Sequence, residues 1–516
     1  MCGILLVKHR QAIDVAHHLK AFEHVSRRGP DAVFWQHHNN IFIAQSLLSI
    51  TGDSGWYTQP RTDFLAYNGE IYNWQRWLTG KTDTELVYQT VHEKQWHNFA
   101  KFEGAWAWAY TDFESVWYAS DAQGERCLYR YQDDNILIVS SEVAAILHYI
   151  KPELLVETYQ QKHWPVFQQT PWQGIQRLEP GYLYHEQHRT LCLDSIFLWR
   201  KHSHIITAQE AWEEFRPLWS RVIKDMTPTT AYGVTMSGGI DSSVIMASLP
   251  QASHFYTVDV KGKDTVSSQV TEFLSPQHQH KLVKIDLDEQ QWAQHFWQVI
   301  ETSVMPVQSW SFVGQWCIAR HCQEPVLFTG VGADELFGGY DIYRNLDYSD
   351  KGSVSPYSVC DHNNTLWRQC LAMYDQDARP ATLLMDYITQ VSAVDMRGVD
   401  TLTMACGIEP RSPFCHPAII KFALNLPWNL RLGKPLLKKL FLETWPENLI
   451  FAKQGFAGHC NDSFKYLGLD CVRHPDRHTD WKLINQAAFV KFADKLTSQY
   501  NDKTRMAQNG NYRVAV

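Results

Sequence analysis

Apolar positions recur in short, often alternating runs through the first two hundred residues. CGILLVK from Cys2, NIFIAQ from Asn40, DFLAYNG from Asp63, AWAWAY from Ala105, SVWYAS from Ser115 and NILIVSS from Asn135 each read as a strand. Two stretches change to a helical period, residues 11–26 and 83–94. The second opens with TDTE, where Thr82 or Asp83 precedes Glu85 in a capping-box arrangement. Strands enclosing a core with helices outside predict a layered sheet sandwich over residues 1–200, closed by LEPGYLYH and one more strand. From residue 205 the period lengthens. A helix, AQEAWEEFRPLWSRVIKDM, precedes the strands AYGVTM, HFYTVDV, HKLVKID and PVLFTG, with one helix following SGGIDSS and others near 267–275 and 288–303. Strand–helix alternation of this kind predicts a parallel α/β sheet covered on both faces. Beyond residue 360 the pattern is mainly helical, so 205–516 forms the second domain.

Composition narrows the function class. The chain has 516 residues, 45% hydrophobic and 20% charged, with a net charge of -8 and a pI near 6.3. That balance argues against bulk electrostatic binding to nucleic acid or an anionic membrane. The run GILLV is too short for a signal-peptide core, and no apolar stretch reaches membrane-spanning length. The expectation is a cytoplasmic protein without a membrane or nucleic-acid partner. Eleven cysteines without a C-x-x-C pair fit reduced thiols, and the histidine and cysteine spacings give no convincing metal cluster.

Three stretches carry candidate chemistry. Cys2 becomes the first residue once Met1 is removed, joining a thiol and an α-amino group of pKa near ~7.7–8.0 on one residue. Such a residue needs no separate histidine as its base. MSGGIDSS, Met236 to Ser243, lies between a strand and a helix, and its backbone N–H groups can cradle an anion. It lacks the G-K-[ST] of a Walker loop and matches the PP-loop of enzymes that release pyrophosphate from ATP. TGVGADELFGGY, Thr329 to Tyr340, follows the last strand, so the two loops are expected to face each other at the strands' carboxyl ends.

Taken together these motifs resemble the glutamine-hydrolysing asparagine synthetase family over nearly the whole chain. MCGI, RRGPD, YNGEIYN, TDTE and FEGAWAWAYTD resemble its class II glutaminase domain. SGGIDSS, GADELFGGY, GIEPRSPF, GKPLLKK and KQGF resemble its synthetase domain. The resemblance implies an αββα N-terminal-nucleophile sandwich followed by a PP-loop domain of the adenine nucleotide alpha hydrolase type, with a helical C-terminal part. It implies that Cys2 attacks the glutamine amide, that Asn68 and Gly69 form the oxyanion hole, and that Asn68, Gly69, Glu70 and Asp83 bind glutamine. ATP is expected around Met236, Ser237, Gly238, Gly239, Asp241, Ser242, Val258, Thr329 and Gly330. Magnesium is expected on Asp241 and Asp334, and Lys438 near the phosphates. Ammonia would pass inside the protein to an acyl-adenylate made from a small carboxylate. The family is often dimeric, which makes a homodimer an expected assembly.

Departures from the family pattern bear on substrate. Leu47, in LLSI, stands where the family arginine grips the glutamine α-carboxylate, and an aliphatic side chain cannot replace that contact. Val331 stands where an acidic residue is implicated in amidation, and valine cannot exchange a proton. Ser120 replaces a usual arginine. Three readings follow: a glutamine-dependent amidotransferase whose acceptor is not aspartate, or not only aspartate; an ATP-dependent amide- or lactam-forming ligase using another amine, with a weakened glutaminase; and, ranked well behind, a non-catalytic relative that binds nucleotide or partners.

Overall fold

The computed structural model describes residues 2–10, 14–50, 62–78, 82–150, 153–155, 169–200, 207–260, 270, 273–274, 278–309, 311–345, 364–450, 463–469, 481 and 483–496. KQGF and most of the helix expected over 267–275 lie outside them.

The first domain is a sandwich of two antiparallel sheets. One has the strand order β2 (Ala32–His38), β3 (Ile41–Leu47), β1 (Cys2–His9), β8 (Ile136–Ser140), β7 (Tyr129–Gln132), β9 (Gln176–Arg177). The other runs β11 (His188–Cys192), β10 (Tyr182–His185), β6 (Val116–Ser120), β5 (Gly104–Thr111), β4 (Phe64–Ile71). Period-2 alternation divides each strand between two cores. Ile4, Leu6, Ile41, Ile43, Ala66, Ala107 and Val139 meet between the sheets. On the far side of the first sheet Leu5, Val7 and Phe42 pack on helices α1 (Val15–Ser26) and α3 (Val143–Leu147). On the far side of the second, Leu65, Tyr67 and Trp108 pack on α2 (Asp83–His92). Four layers, helix–sheet–sheet–helix, result. Thr82 is the cap of α2, accepting from Glu85 N, and Asp83 is its first helical residue.

The second domain holds five parallel strands in the order β14 (Leu282–Leu287), β13 (His254–Val260), β12 (Tyr232–Thr235), β15 (Val326–Phe328), β16 (Glu409–Arg411). Phe255 and Phe328 face one core, with α4 (Ala208–Met226) and α5 (Ile240–Ser248). Tyr256 and Leu327 face the other, with α6 (Glu289–Ser303) and α7 (Ser311–His321). Both faces are therefore covered, as parallel sheets require. The fifth strand arises within GIEPRSPF, in the stretch beyond residue 360 that the pattern reads as mainly helical. Its charged residues are buried because Glu409 and Arg411 pair with each other at 2.7 Å.

The second core is continuous with the outer face of the first sheet, so the domains share apolar packing. Trp172 reaches across and donates its indole N–H to Val304 O at 2.8 Å. Beside that packing lies a buried layer of charge. Arg28 donates to Glu142 Oε1 at 2.7 Å, to Asp400 Oδ2 at 2.8 Å and to Cys2 O at 3.2 Å. Arg126 donates to Pro410 O at 2.9 Å and pairs with Asp400 at 3.5 Å. Arg411 pairs with Glu70 as well as Glu409.

Candidate functional sites

Cys2 starts β1, directly opposite Leu47 on β3. Directly paired residues present their side chains to one face, so the thiol shares its face with Leu47, Gln45 and Ile4, between the sheets. Asn68 comes from β4 of the opposing sheet, where it follows the inward-facing Ala66 in the alternation. Its Oδ1 accepts the Cys2 amide N–H at 2.9 Å. Its Nδ2 is buried without a hydrogen-bond partner among the described residues. An orphaned buried donor beside a nucleophile is what an oxyanion hole requires, since buried donors otherwise find partners. Gly69 follows at φ +154°, and a Cβ there would collide with Ala105 O on β5, so only glycine lets the two strands close beside Asn68.

Burial pushes the Cys2 thiol up from its ordinary pKa, while hydrogen bonds from the Leu48 backbone and the Gln45 side chain pull it back. Gln45 was not singled out in the sequence, where it is one polar residue in an apolar strand. Its Oε1 accepts Tyr67 N at 2.6 Å, which leaves its amide Nε2 as the donor that acts on the Cys2 thiol. Asp83 is buried on α2, accepting from Tyr67 Oη at 2.9 Å, Ile71 N at 3.1 Å and Thr84 N at 2.8 Å. Glu70 turns to the interface and pairs with Arg411.

Leu47 is half-buried on the nucleophile's own face. Arg28 cannot serve a ligand carboxylate in its stead, because its guanidinium is committed to Glu142, Asp400 and Cys2 O. Leu47→Arg is therefore expected to tighten glutamine. A charge-assisted contact is worth about 1.5–3 kcal/mol, roughly 10- to 150-fold in affinity. Glutamine titration of the Cys2-dependent hydrolysis checks this, and an unchanged KM would show that position 47 does not face the ligand.

At the carboxyl ends of the parallel strands, the loop after β12 turns through Gly238 at φ +74° into α5. Ser242 Oγ accepts Ser237 N at 3.1 Å and donates to Gly239 O at 3.1 Å, tying the loop closed. The second loop abuts it: a methyl at Gly330 would stand 3.4 Å from Asp241 Cβ. Thr329 lies between them, its N–H bonded to Arg411 O at 2.9 Å and its buried Oγ1 without a partner among the described residues. Met236 is buried beneath the loop and Val258 lies half-buried on β13.

Asp241 and Asp334, the latter on α8 (Ala333–Phe337), converge on one ammonium. Lys434 Nζ sits 2.6 Å from each carboxylate. Lys434 precedes α9 (Pro435–Leu442), with φ +59°. Lys438, the lysine singled out in the sequence, lies one turn further along and is half-buried. Gly339 leaves room for this arrangement, since a Cβ there would strike both Asp334 and Lys434. Two hard carboxylate donors whose charge is met by a lysine ammonium fit a magnesium ion that keeps phosphate and water ligands. Val331 is half-buried, its carbonyl accepting from Ser412 Oγ at 2.6 Å. Of the nearby acids, Glu335 is pushed up to about 8 by burial and by Asp395, and accepts from Tyr340 Oη at 2.9 Å. Burial works against charge on Glu409 too, but Arg411 and Arg126 outweigh it and hold the carboxyl below its usual range.

Comparison with known proteins matches both halves. A family model for asparagine synthase covers residues 220–510, and one for a glutamine amidotransferase domain covers residues 1–194. The asparagine synthetase [glutamine-hydrolyzing] 3 of Bacillus subtilis (strain 168) is 21% identical over 551 residues, 88% of this chain and 86% of that protein. The asparagine synthetase [glutamine-hydrolyzing] of Rattus norvegicus is 23% identical over 473 residues, 83% of this chain and 78% of its own. A protein of Gibberella zeae named Amidase chry2 is 25% identical over 389 residues; that match takes in 65% of this chain and 57% of the amidase's length. No helix among the described residues is long and apolar enough to cross a membrane.

Proposed function

Since this chain belongs to the asparagine synthase family, we propose that it is an ATP-dependent amidotransferase with a glutaminase in residues 1–200 and a synthetase in residues 205–516. With Met1 removed, the Cys2 α-amino group takes the thiol proton as sulfur attacks the glutamine side-chain amide. Asn68 Nδ2 and the backbone at Gly69 receive the developing oxyanion. Asp83 holds the glutamine α-amino group, with Glu70 at the rim. Ammonia then moves along the domain interface to the second site. There a small carboxylate displaces pyrophosphate from ATP, and ammonia displaces AMP to leave an amide. Ser237, Gly238, Gly239 and Ser242 hold the pyrophosphate portion, Met236, Val258, Thr329 and Gly330 the nucleotide. Lys434 turns from the two aspartates onto the phosphates, with Lys438 behind it. Asp241 and Asp334 would hold magnesium, which when bound offsets charge on the departing pyrophosphate.

One observation carries the reading: Asp241, Asp334 and Lys434 meet within 2.6 Å where the PP-loop and the second loop abut. A cation-and-carboxylate cluster at a strand-end anion cradle suits phosphate chemistry more than a passive turn.

The acceptor is expected to be less polar than aspartate, because Val331 adds apolar surface and removes a negative charge beside the loop. ATP–pyrophosphate exchange across a panel of carboxylates tests this. Aspartate should give little exchange and a bulkier carboxylate more; efficient conversion of aspartate to asparagine would overturn the acceptor assignment. Leu47 favours a second reading, an amide- or lactam-forming ligase that uses an amine other than glutamine-derived ammonia. Amide formation with a supplied amine but never with glutamine would select it.

A further inference from the structure

Arg431 ends the short helix Trp428–Arg431 and is completely buried. Its acceptors among the described residues are neutral. Nε donates to Leu336 O at 2.9 Å and Nη1 to Tyr374 Oη at 3.2 Å, while Nη2 has no hydrogen-bond partner there. Burying a guanidinium without a carboxylate is costly, and an apolar side chain of like length would fill the space without that cost. Packing alone therefore does not account for an arginine at this position.

What the arginine touches belongs to the two segments that build the carboxylate–lysine cluster. Leu336 lies in the last turn of α8, the helix that carries Asp334. A helix end leaves carbonyls without intrahelical donors, and a basic side chain can supply one. At α8 three successive carbonyls are taken by a single stretch of chain. Leu336 O accepts from Arg431 Nε, Phe337 O from Lys434 N at 3.0 Å, and Gly338 O from Gly433 N at 2.8 Å. Lys434 N lies 3.2 Å from Arg431 O as well. The ammonium of this lysine meets Asp241 and Asp334, and its backbone is left-handed, which is unfavourable for lysine and has to be imposed by its surroundings. Tyr374 fixes the far end of the guanidinium. Its hydroxyl donates to Leu424 O at 3.1 Å, leaving the oxygen to accept from Arg431. Arg431 thus joins the end of α8 to the turn before α9, and both to the core.

We propose that Arg431 is a positioning residue for the adenylation site: by holding the end of α8 against the Gly433–Lys434 turn, it sets the register in which Asp334, Asp241 and Lys434 converge. The role rests on the reading of that cluster as the phosphate site. Arg431 acts on the chemistry only through Leu336 and Lys434. With the tie removed, the two carboxylates and the ammonium keep their charges and lose their register. Misplacement by about 1 Å at a reacting centre costs on the order of 10²-fold in rate.

The test uses the full chain. In Arg431→Met, ATP–pyrophosphate exchange per folded molecule should fall ~10²-fold, in kcat rather than in KM for the carboxylate, while glutamine hydrolysis is unchanged. Arg431→Lys still reaches one acceptor and should recover part of the rate. Acetic anhydride labelling of the ligand-free protein, read by mass spectrometry, follows the lysine itself. Lys434 is buried between two carboxylates and should resist labelling in wild type. In Arg431→Met it should react, while Lys8 and Lys284, paired elsewhere with Glu186 and Asp259, keep their wild-type labelling. Tyr374→Phe removes only the outer acceptor and should give the same changes in smaller measure, which keeps the test decisive if Arg431→Met does not fold. In folded variants, unchanged Lys434 labelling or a normal exchange rate overturns this role alone. Wild type without exchange on any carboxylate overturns the function and this role together.

Discussion

Cys2→Ala should abolish glutamine hydrolysis while ammonia-driven amide formation continues unchanged. The change removes one sulfur from a buried position at the start of β1. The main-chain bond to Asn68 Oδ1 and the Arg28 bond to Cys2 O both use backbone atoms and survive it. The glutaminase pocket therefore keeps its shape and loses its nucleophile, a loss on the order of 10⁶-fold where the nucleophile acts as one unit with its base. Nothing in the PP-loop cluster touches the deleted atom. Glutamate release and trapping by a glutamine-mimicking electrophile read the first half, and pyrophosphate release with ammonium salts reads the second. A folded variant inactive with ammonia as well would mean that the sites do not work as separable halves.

Asp241→Asn should produce the mirror image. Asp241 is held from two sides, by Lys434 at 2.6 Å and by its place in the first turn of α5. Asparagine keeps the shape and removes the charge, leaving Lys434 to Asp334 alone. An electrostatic contact at a phosphate-transfer centre is worth on the order of 10²–10³-fold, so pyrophosphate release should fall by that much. Cys2 should remain as reactive as in wild type. Full pyrophosphate release from the asparagine variant would place ATP elsewhere.

Local signals carried much of this into the sequence. Alternation in the N-terminal strands and glycines at the strand–helix turn are read within a few residues, and both recur in the fold. The expected start of the first helix at residue 11 missed a local signal: Asp14 caps a helix that the structure begins at Val15. Other features are settled by distant partners. The strand Glu409–Arg411 contains a proline and two charges, and becomes a buried strand because Glu70, 341 positions before Arg411, completes the ion pairing. Lys434 and Lys438 are equivalent by composition and sit one turn apart; only packing of α9 against the PP-loop decides which meets Asp241. Gln45 and Arg431 look like ordinary polar residues until burial strips them of water.

The layer of arginines and carboxylates between the domains sets terms for recombination. Arg28, Arg126 and Glu70 belong to the first domain, and Asp400, Glu409 and Arg411 to the second, with Cys2's own carbonyl tied to Arg28. Removing one member of a buried pair costs about 3–5 kcal/mol, because its partner keeps an uncompensated charge. A glutaminase domain grafted from a relative would bring its own half of the layer and leave several such charges unmatched at once. The halves of this protein can therefore drift freely at their outer surfaces but only in concert at this seam.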